Sequence, residues 1–144
     1  MAEKKIHLQI VTPTEQKVDE YVKMVIMRTT LGNMGVLFGH EAHSAVLDYG
    51  IVRIINEEEE RQIVVYGGLV SIQENTVTIV TNEAQWPEEI DFAYANRERE
   101  RIERRILEKT DALEIKKDQI QLRRTLMQIE VGESLIIDDR DRED

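Results

Sequence analysis

The chain has 144 residues, a formal net charge of -10 and no cysteine. This length allows one ordinary domain, or one β domain with a small helical addition. The acidic balance argues against nucleic acid as a partner, because phosphate contacts need clustered excess cations. Without cysteine there can be no disulfide and no thiolate metal site. No stretch approaches the roughly 20 apolar residues of a membrane-spanning helix, so we expect a soluble, cytosolic chain that reaches a membrane only by docking on a membrane complex.

The first part of the chain, residues 6–81, contains short runs in which apolar and polar residues alternate between turn signals. Ile6, Leu8 and Ile10 open this pattern, and Pro13 stops the first strand because proline cannot donate a ladder hydrogen bond. Further strands are predicted over residues 16–21, 22–29, 44–47, 50–55, 61–66, 69–73 and 76–81. Many short strands with regular turn signals predict a β sandwich.

Three segments interrupt this pattern. The glycine-rich residues 31–40 are predicted to form a loop. The four glutamates of residues 57–60 predict an exposed hairpin tip, because four like charges cannot be buried together. Gly67 and Gly68 are predicted to form a β-bulge between two separate strands.

The periodicity changes at residues 85–91. Before this segment apolar residues recur at every second position, and after it at every third or fourth, as in strands and helices respectively. Pro87 ends the last strand and suits the start of a helix. The acidic residues that follow suit the electropositive N-terminus of a helix, where Asp91 can also act as the cap. We therefore predict a β-sandwich domain over residues 1–86 and a helical domain over residues 87–131.

The helical domain is predicted to contain two amphipathic helices joined by a break at residues 109–111, with Asp111 as the cap of the second helix. The apolar stripes are Phe92, Ala95, Ile102 and Ile106 in the first helix, and Ile115, Leu122, Leu126 and Ile129 in the second. Two helices of about 18 residues with a tight turn form an antiparallel hairpin. Because each stripe is narrow, we expect this hairpin to be marginally stable. The acidic residues 132–144 predict a disordered tail.

Candidate catalytic and metal-binding residues are few. His40 and His43 lie on either side of Glu41 at positions i and i+3, whereas a helical zinc site needs histidines at i and i+4. The sequence has no glycine-rich phosphate loop ending in Lys-Ser/Thr and no serine nucleophile elbow. We therefore predict no catalytic residue and no metal site, and the residues alone indicate an interaction module. An enzyme that uses His40 and His43 is one alternative.

A series of short motifs, taken in order, indicates a family. The motifs are Val-Thr-Pro at 11–13, Gly-Asn-Met-Gly-Val-Leu-Phe-Gly-His at 32–40, Val-Tyr-Gly-Gly-Leu at 65–69, Val-Thr-Ile-Val-Thr at 77–81, Glu-Ile-Asp at 89–91 and Leu-Arg-Arg at 122–124. Over residues 4–131 this series resembles the epsilon subunit of the bacterial F-type ATP synthase, the counterpart of the mitochondrial delta subunit. The resemblance implies a sandwich of about ten short strands followed by a C-terminal antiparallel two-helix hairpin.

The resemblance also implies a function and partners. It implies a non-catalytic central-stalk subunit of a proton- or sodium-translocating ATP synthase, on the cytoplasmic face of the bacterial cell membrane. The sandwich would contact the gamma subunit and the membrane rotor ring, and the mobile hairpin would reach the alpha and beta subunits and inhibit ATP hydrolysis. The residues implied for the rotor-ring and stalk contact are Gly32, Asn33, Met34, Gly35, Phe38 and His40. Family members commonly have an acidic residue in place of Asn33 and a proline in place of Phe38.

Some relatives bind ATP on the folded hairpin through an Ile-Asp-x-x-Arg-Ala motif and two arginines of the second helix. The residues that match this pattern are Ile90, Asp91, Ala95 and Arg124. Tyr94 and Gln128 stand where the pattern has arginine, and each lost charge-assisted contact to phosphate removes about 1.5–3 kcal/mol of binding. We therefore expect no cofactor and weak or no ATP binding.

Basic residues of the second helix are the candidate inhibitory contacts, namely Lys116, Lys117, Arg123 and Arg124. Cations beside a narrow apolar stripe suit an acidic protein surface, and the resemblance implies that this surface is an acidic segment of the beta subunit. The alternative is a free-standing adaptor whose basic hairpin binds a different acidic protein.

Overall fold

The computed structural model describes residues 4–108 and 111–143, with side chains described up to residue 133. The chain divides into two compact units, Met1–Gln85 and Trp86–Asp144. The first unit contains the strands and the second contains the helices.

Strands make up the first unit. The described part of the chain contains eight strands, namely β1 (Ile6–Val11), β2 (Gln16–Val22), β3 (Met24–Thr29), β4 (Gly32–Leu37), β5 (His43–Ile55), β6 (Glu60–Gln73), β7 (Thr76–Val80) and β8 (Ala84–Gln85). Their order in the sheet is β2-β1-β7-β6-β5-β3-β4, and β8 pairs with β6. The predicted fold class is confirmed. The long strands β5 and β6 each contain two of the predicted strands. If each of them is counted as two, the eight strands correspond to ten segments, the number that was predicted.

The core of this unit follows from the alternation of apolar residues. On β1, Ile6, Leu8 and Ile10 are fully buried, while the residues between them are half-buried. This strand lies between β2 and β7, and its pairing with β7 is parallel. Burying an isoleucine or leucine side chain stabilises the fold by about 1.5–3 kcal/mol, so β1 is a central element of the sandwich.

The prediction of a loop over residues 31–40 was wrong for its first part. Residues 32–37 form β4, which pairs with β3 in a continuous register from Thr29↔Gly32 to Met24↔Leu37. Gly35 pairs with Ile26 in this register. An added Cβ would be 3.0 Å from the terminal methyl of Met24, which is the flexible end of that side chain. Glycine at this position therefore lies within a paired strand and does not mark a loop.

The predicted bulge at Gly67 and Gly68 was also wrong. The pairing of β6 with β5 passes from Leu47↔Gly68 to Tyr49↔Tyr66 without a shift in register, so no extra residue is inserted. Both glycines instead have positive φ, 77° and 131°. At Gly68 a Cβ would lie 2.2 Å from the carbonyl oxygen of Val80, so this position needs glycine both for its backbone angle and for its close contact with β7.

The second unit contains a 3-10 turn (Pro87–Glu89), α1 (Phe92–Glu108) and α2 (Ala112–Glu143). The predicted cap at Asp91 is confirmed, because its carboxylate accepts the Tyr94 backbone N–H at 3.0 Å. Asp111 caps α2 in the same way, accepting the Leu113 N–H at 2.9 Å. Pro87 opens the separate 3-10 turn and not the α-helix itself. Residues 109 and 110 of the predicted break lie outside the described residues.

The second helix extends into the acidic segment for which a disordered tail was predicted. The backbone of α2 continues to Glu143, so residues 132–143 have helical backbone geometry, and the disorder of this segment stays a prediction. The segment has no proline, and its leucine, isoleucine, arginine and glutamate residues are compatible with a helix. Net negative charge alone therefore did not end this helix.

Candidate interaction surfaces

The outer face of the sandwich presents a row of apolar side chains on three adjacent strands. Val46 pairs with Leu69, and Leu69 pairs with Val80, so the three side chains lie side by side on one face. They are 50%, 59% and 54% exposed respectively. We refer to Val46, Leu69 and Val80 as the apolar row. Neighbouring strands are about 4.8 Å apart, so the row is about 10 Å long.

The apolar row borders a shallow depression of about 400 Å³. Small polar side chains from the same three strands also line it, namely Ser44, Ser71 and Thr78. Single exposed apolar residues are ordinary, whereas neighbouring ones rimmed by polar groups mark protein contact sites. This surface has the size and chemistry to receive one or two apolar side chains of a partner.

The predicted ring-contact residues do not form a single patch. Gly32 and Asn33 begin β4, whereas Phe38 and His40 follow its other end. A strand rises about 3.3 Å per residue, so Gly32 and Phe38 are about 20 Å apart. Met34 and Gly35 lie between them on an edge strand of the sheet. The six residues can therefore contact one partner only along the whole length of β4.

The far end of β4 leads into a tight turn. The His40 N–H donates to the Leu37 carbonyl at 3.2 Å, and Gly39 has a φ of 86°. These features define a type II turn with Phe38 at its first central position. Leu37 and Phe38 remain 52% and 45% exposed. Proline is common at the position of Phe38 in such turns, so the departure from the family pattern keeps the turn and changes the side chain it presents.

On α2 the four predicted inhibitory residues are placed on one side of the helix. Lys116, Lys117 and Arg123 are exposed and Arg124 is half-buried. Leu113 and Ile120, both exposed, lie among these cations at spacings of three, four and seven residues. The face therefore combines apolar side chains with positive charge, a combination that suits an acidic protein partner with an apolar centre.

The contact between α1 and α2 contains more polar side chains than the predicted apolar stripes suggest. The buried side chains include Glu98 on α1, and Asp118 and Thr125 on α2. Arg105 on α1 approaches Asp118 at 3.5 Å (Nη2 to Oδ1) and donates to Gln121 at 3.4 Å. Leu126, which was predicted in the stripe, is exposed. We refer to Glu98, Arg105, Asp118 and Thr125 as the polar seam.

At the far end of the hairpin the two helices approach closely. A Cβ added at Gly132 of α2 would lie 2.7 Å from the ring of Phe92 of α1. This contact and the contact of Arg105 with Asp118 show that the helices are antiparallel, as the sequence predicted.

The residues that match the ATP pattern are placed in different environments. Ile90 and Ala95 are buried, and the exposed Asp91 uses one carboxylate oxygen to cap α1. Tyr94, which stands in place of an arginine, is exposed. Among the four residues that match the pattern, Arg124 is the cation, and its side chain is half-buried.

The two histidines of the alternative hypothesis, an enzyme that uses His40 and His43, lie in the turn after β4 and at the start of β5. His40 contacts the Glu41 carbonyl oxygen through Nδ1 at 2.7 Å, and the exposed His43 begins β5. Where side chains are described, in residues 4–108 and 111–133, no group of three or more histidine, aspartate or glutamate side chains is arranged to hold a metal ion.

Comparison with known proteins identifies the family. The family of the ATP synthase delta/epsilon chain β-sandwich domain matches residues 5–87. The chain belongs to this ATP synthase epsilon-chain family.

Relatives in this family extend the similarity into the helical hairpin. The chain is 36% identical over 129 residues to the ATP synthase epsilon chain of Pediococcus pentosaceus, an alignment that covers 87% of this chain and 93% of that one. It is 38% identical over 99 residues to the ATP synthase epsilon chain of Alkaliphilus oremlandii, covering 69% of this chain and 74% of the relative. The family resemblance inferred from the sequence motifs is thus confirmed.

A solved structure supports the same fold. A chain in the cryo-EM structure of the Euglena gracilis mitochondrial ATP synthase, OSCP/F1/c-ring in rotational state 1, matches with a TM-score of 0.80 and 28% identity. The match covers 90% of this chain and 82% of that chain. No helix in the described residues is both long and apolar enough to cross a membrane.

Proposed function

We propose that the chain is a non-catalytic subunit of the central stalk of a proton- or sodium-translocating F-type ATP synthase. Its sandwich binds the gamma subunit and the membrane rotor ring, on the cytoplasmic face of the bacterial cell membrane. Membership of the epsilon-chain family supports its place in this complex. The apolar row of Val46, Leu69 and Val80 carries the proposal for docking, because contiguous exposed apolar side chains are a feature of protein interfaces.

Leu69→Glu tests this docking surface. Leu69 is the centre of the apolar row and more than half exposed, so glutamate is compatible with the folded sandwich but would bury a charge in the interface. A hot-spot residue near the centre of an interface costs about 2 kcal/mol or more when it is truncated, and we propose that Leu69 is such a residue. We expect at least about 30-fold weaker binding to ATP synthase that has been stripped of its own epsilon chain.

Leu107→Glu is the matched control for this experiment. It makes the same change at an exposed leucine of α1, in the other unit of the chain. The proposal expects the control to bind as the unaltered chain does. Equal binding by all three proteins would show that the apolar row is not the docking surface.

We further propose that the hairpin inhibits ATP hydrolysis. The support is the face of α2 on which Leu113 and Ile120 lie among four cations. Exposed charge pairs are each worth about 0–1 kcal/mol, so several must act together against an acidic segment of the beta subunit. Inhibition should therefore weaken as salt is raised from about 0.05 M to 0.5 M, because salt screens these pairs.

A further inference from the structure

The turn at the end of β4 is tied to a distant part of the chain through one side chain. The Gly39 N–H donates to Oδ1 of Asn75 at 2.7 Å. Asn75 lies 36 residues further along, in the two-residue turn between β6 and β7. Its carbonyl oxygen also accepts the His7 N–H of β1 at 2.8 Å. A single residue thus joins the β6–β7 turn, β1 and the type II turn that presents Leu37 and Phe38.

The backbone of Asn75 separates the two roles of this residue. Glu74 and Asn75 both have positive φ, 50° and 61°, as required in a type I′ hairpin turn. Glycine is favoured at the second position of such turns because it has no Cβ to hinder this conformation. The turn alone would therefore accept glycine at position 75, and the contribution particular to asparagine is its hydrogen bond to Gly39.

The turn that donates this hydrogen bond is exposed. Gly39 and both its neighbours in the turn are accessible to solvent, and a Cβ at Gly39 would meet nothing within 4 Å. The turn has one internal hydrogen bond, from His40 to Leu37. Lys4 lies near the Phe38 ring, with Nζ 5.8 Å from the ring centroid, and exposed contacts of this kind are weak. Packing around Gly39 therefore adds little to hold the turn in place, so the hydrogen bond that the Gly39 N–H donates to Asn75 is an important constraint on the turn.

We propose that Asn75 is a positioning residue that holds the Leu37–Phe38 turn in the conformation that binds a neighbouring subunit. This inference rests on the proposed function, in which the sandwich binds the gamma subunit and the membrane rotor ring, and on the rotor-ring and stalk contact that the family resemblance implies for Phe38. The bond orders the turn before binding, so fewer conformations are lost when the interface forms. The apolar pair of Leu37 and Phe38 suits an apolar surface on that partner.

The first measurement, made by NMR, is the hydrogen-exchange rate of the Gly39 amide in the full-length protein. Asn75→Gly keeps the positive φ and removes the acceptor, and loss of one neutral hydrogen bond should raise the Gly39 rate about 2- to 12-fold. Asn75→Asp keeps an acceptor oxygen and should leave the rate within about twofold. An unchanged Gly39 rate in Asn75→Gly would overturn the proposal.

The second measurement is binding to ATP synthase stripped of its own epsilon chain. We expect Asn75→Gly to weaken binding about 2- to 10-fold, Asn75→Asp to bind normally, and Phe38→Ala to weaken binding as well. Binding that falls for Phe38→Ala but not for Asn75→Gly would overturn the positioning role and leave the proposed function intact. Unchanged binding for both variants, beside a faster Gly39 rate, would show that the turn is not part of the interface and would also overturn the proposal.

Discussion

The polar seam of the hairpin makes a specific prediction about stability. Arg105 and Asp118 lie 3.5 Å apart, with side chains 34% and 9% exposed. Replacing a buried ion pair by apolar residues often stabilises a protein by about 1–4 kcal/mol, because the charges no longer have to leave water. Since Arg105 is one-third exposed, its charge is only partly removed from water, and replacing it therefore stabilises the protein by less than this full amount. We expect the Arg105→Leu, Asp118→Leu double variant to stabilise the hairpin by about 1–2 kcal/mol.

Asp118→Asn is the matched control, because it keeps the size of the side chain and removes only its charge. It leaves the Arg105 guanidinium without a carboxylate partner in a largely buried contact, so we expect it to destabilise the hairpin by about 1–2 kcal/mol. The two changes at the same contact should therefore act in opposite directions.

Amide hydrogen exchange of the full-length protein, measured by mass spectrometry, tests both variants. Peptides from α1 should exchange about 5- to 30-fold more slowly in the double variant and faster in Asp118→Asn, while peptides from β1 should not change. Faster exchange of α1 in the double variant would refute the reasoning, since it would mean that the charged pair is a net stabilising contact.

Three further predictions concern the sandwich, nucleotide binding and inhibition. Gly68→Ala should lower the free energy of unfolding by about 2–4 kcal/mol, measured by urea denaturation, because a Cβ there would lie 2.2 Å from the Val80 carbonyl oxygen; an unchanged midpoint would contradict the close contact. In isothermal titration the full-length chain should bind ATP weakly or not at all, and Tyr94→Arg should strengthen binding, whereas micromolar affinity of the unaltered chain would contradict this. Removal of residues 88–144 should raise ATP hydrolysis by the assembled complex, and so should reversal to glutamate of the cations Lys116, Lys117, Arg123 and Arg124. Unchanged hydrolysis in both cases would show that the hairpin does not inhibit.

Parts of the fold with a local signal could be predicted from the sequence. Alternation at Ile6, Leu8 and Ile10 predicted a buried strand face because side chains of a strand point to opposite sides at every second residue. The cap at Asp91 was predicted because a short acidic side chain satisfies the free N–H groups of a helix start. Both signals depend only on residues that are close in sequence.

Features that depend on distant contacts were missed. Glycine predicted a loop where β4 forms, because glycine content does not show that this segment pairs with β3 in the sheet. The apolar row was missed because alternation gives the face of each residue within its own strand and not the register between strands. It could have been suspected from the apolar residues at the outward positions Val46, Leu69 and Val80.

The polar seam shows a limit of counting apolar residues in helices. In α2 the residues that face α1 include Ile115, Asp118, Leu122, Thr125 and Ile129, which follow a regular spacing of three and four. The prediction selected apolar residues and therefore chose Leu126 over Thr125. A strict heptad spacing would have placed Asp118 and Thr125 in the contact, since the position of a residue on a helix depends on spacing and not on polarity.

The most direct test of the central claim is native purification of the tagged full-length chain from the organism that produces it. If the chain is a central-stalk subunit, the gamma, alpha and beta subunits and the rotor ring should co-purify with it in a fixed stoichiometry. Mass spectrometry would identify these subunits, and the size of the purified complex would check their stoichiometry. Leu69→Glu should remove this association, whereas Leu107→Glu should retain it. Recovery of the unaltered chain without ATP synthase subunits would contradict the account.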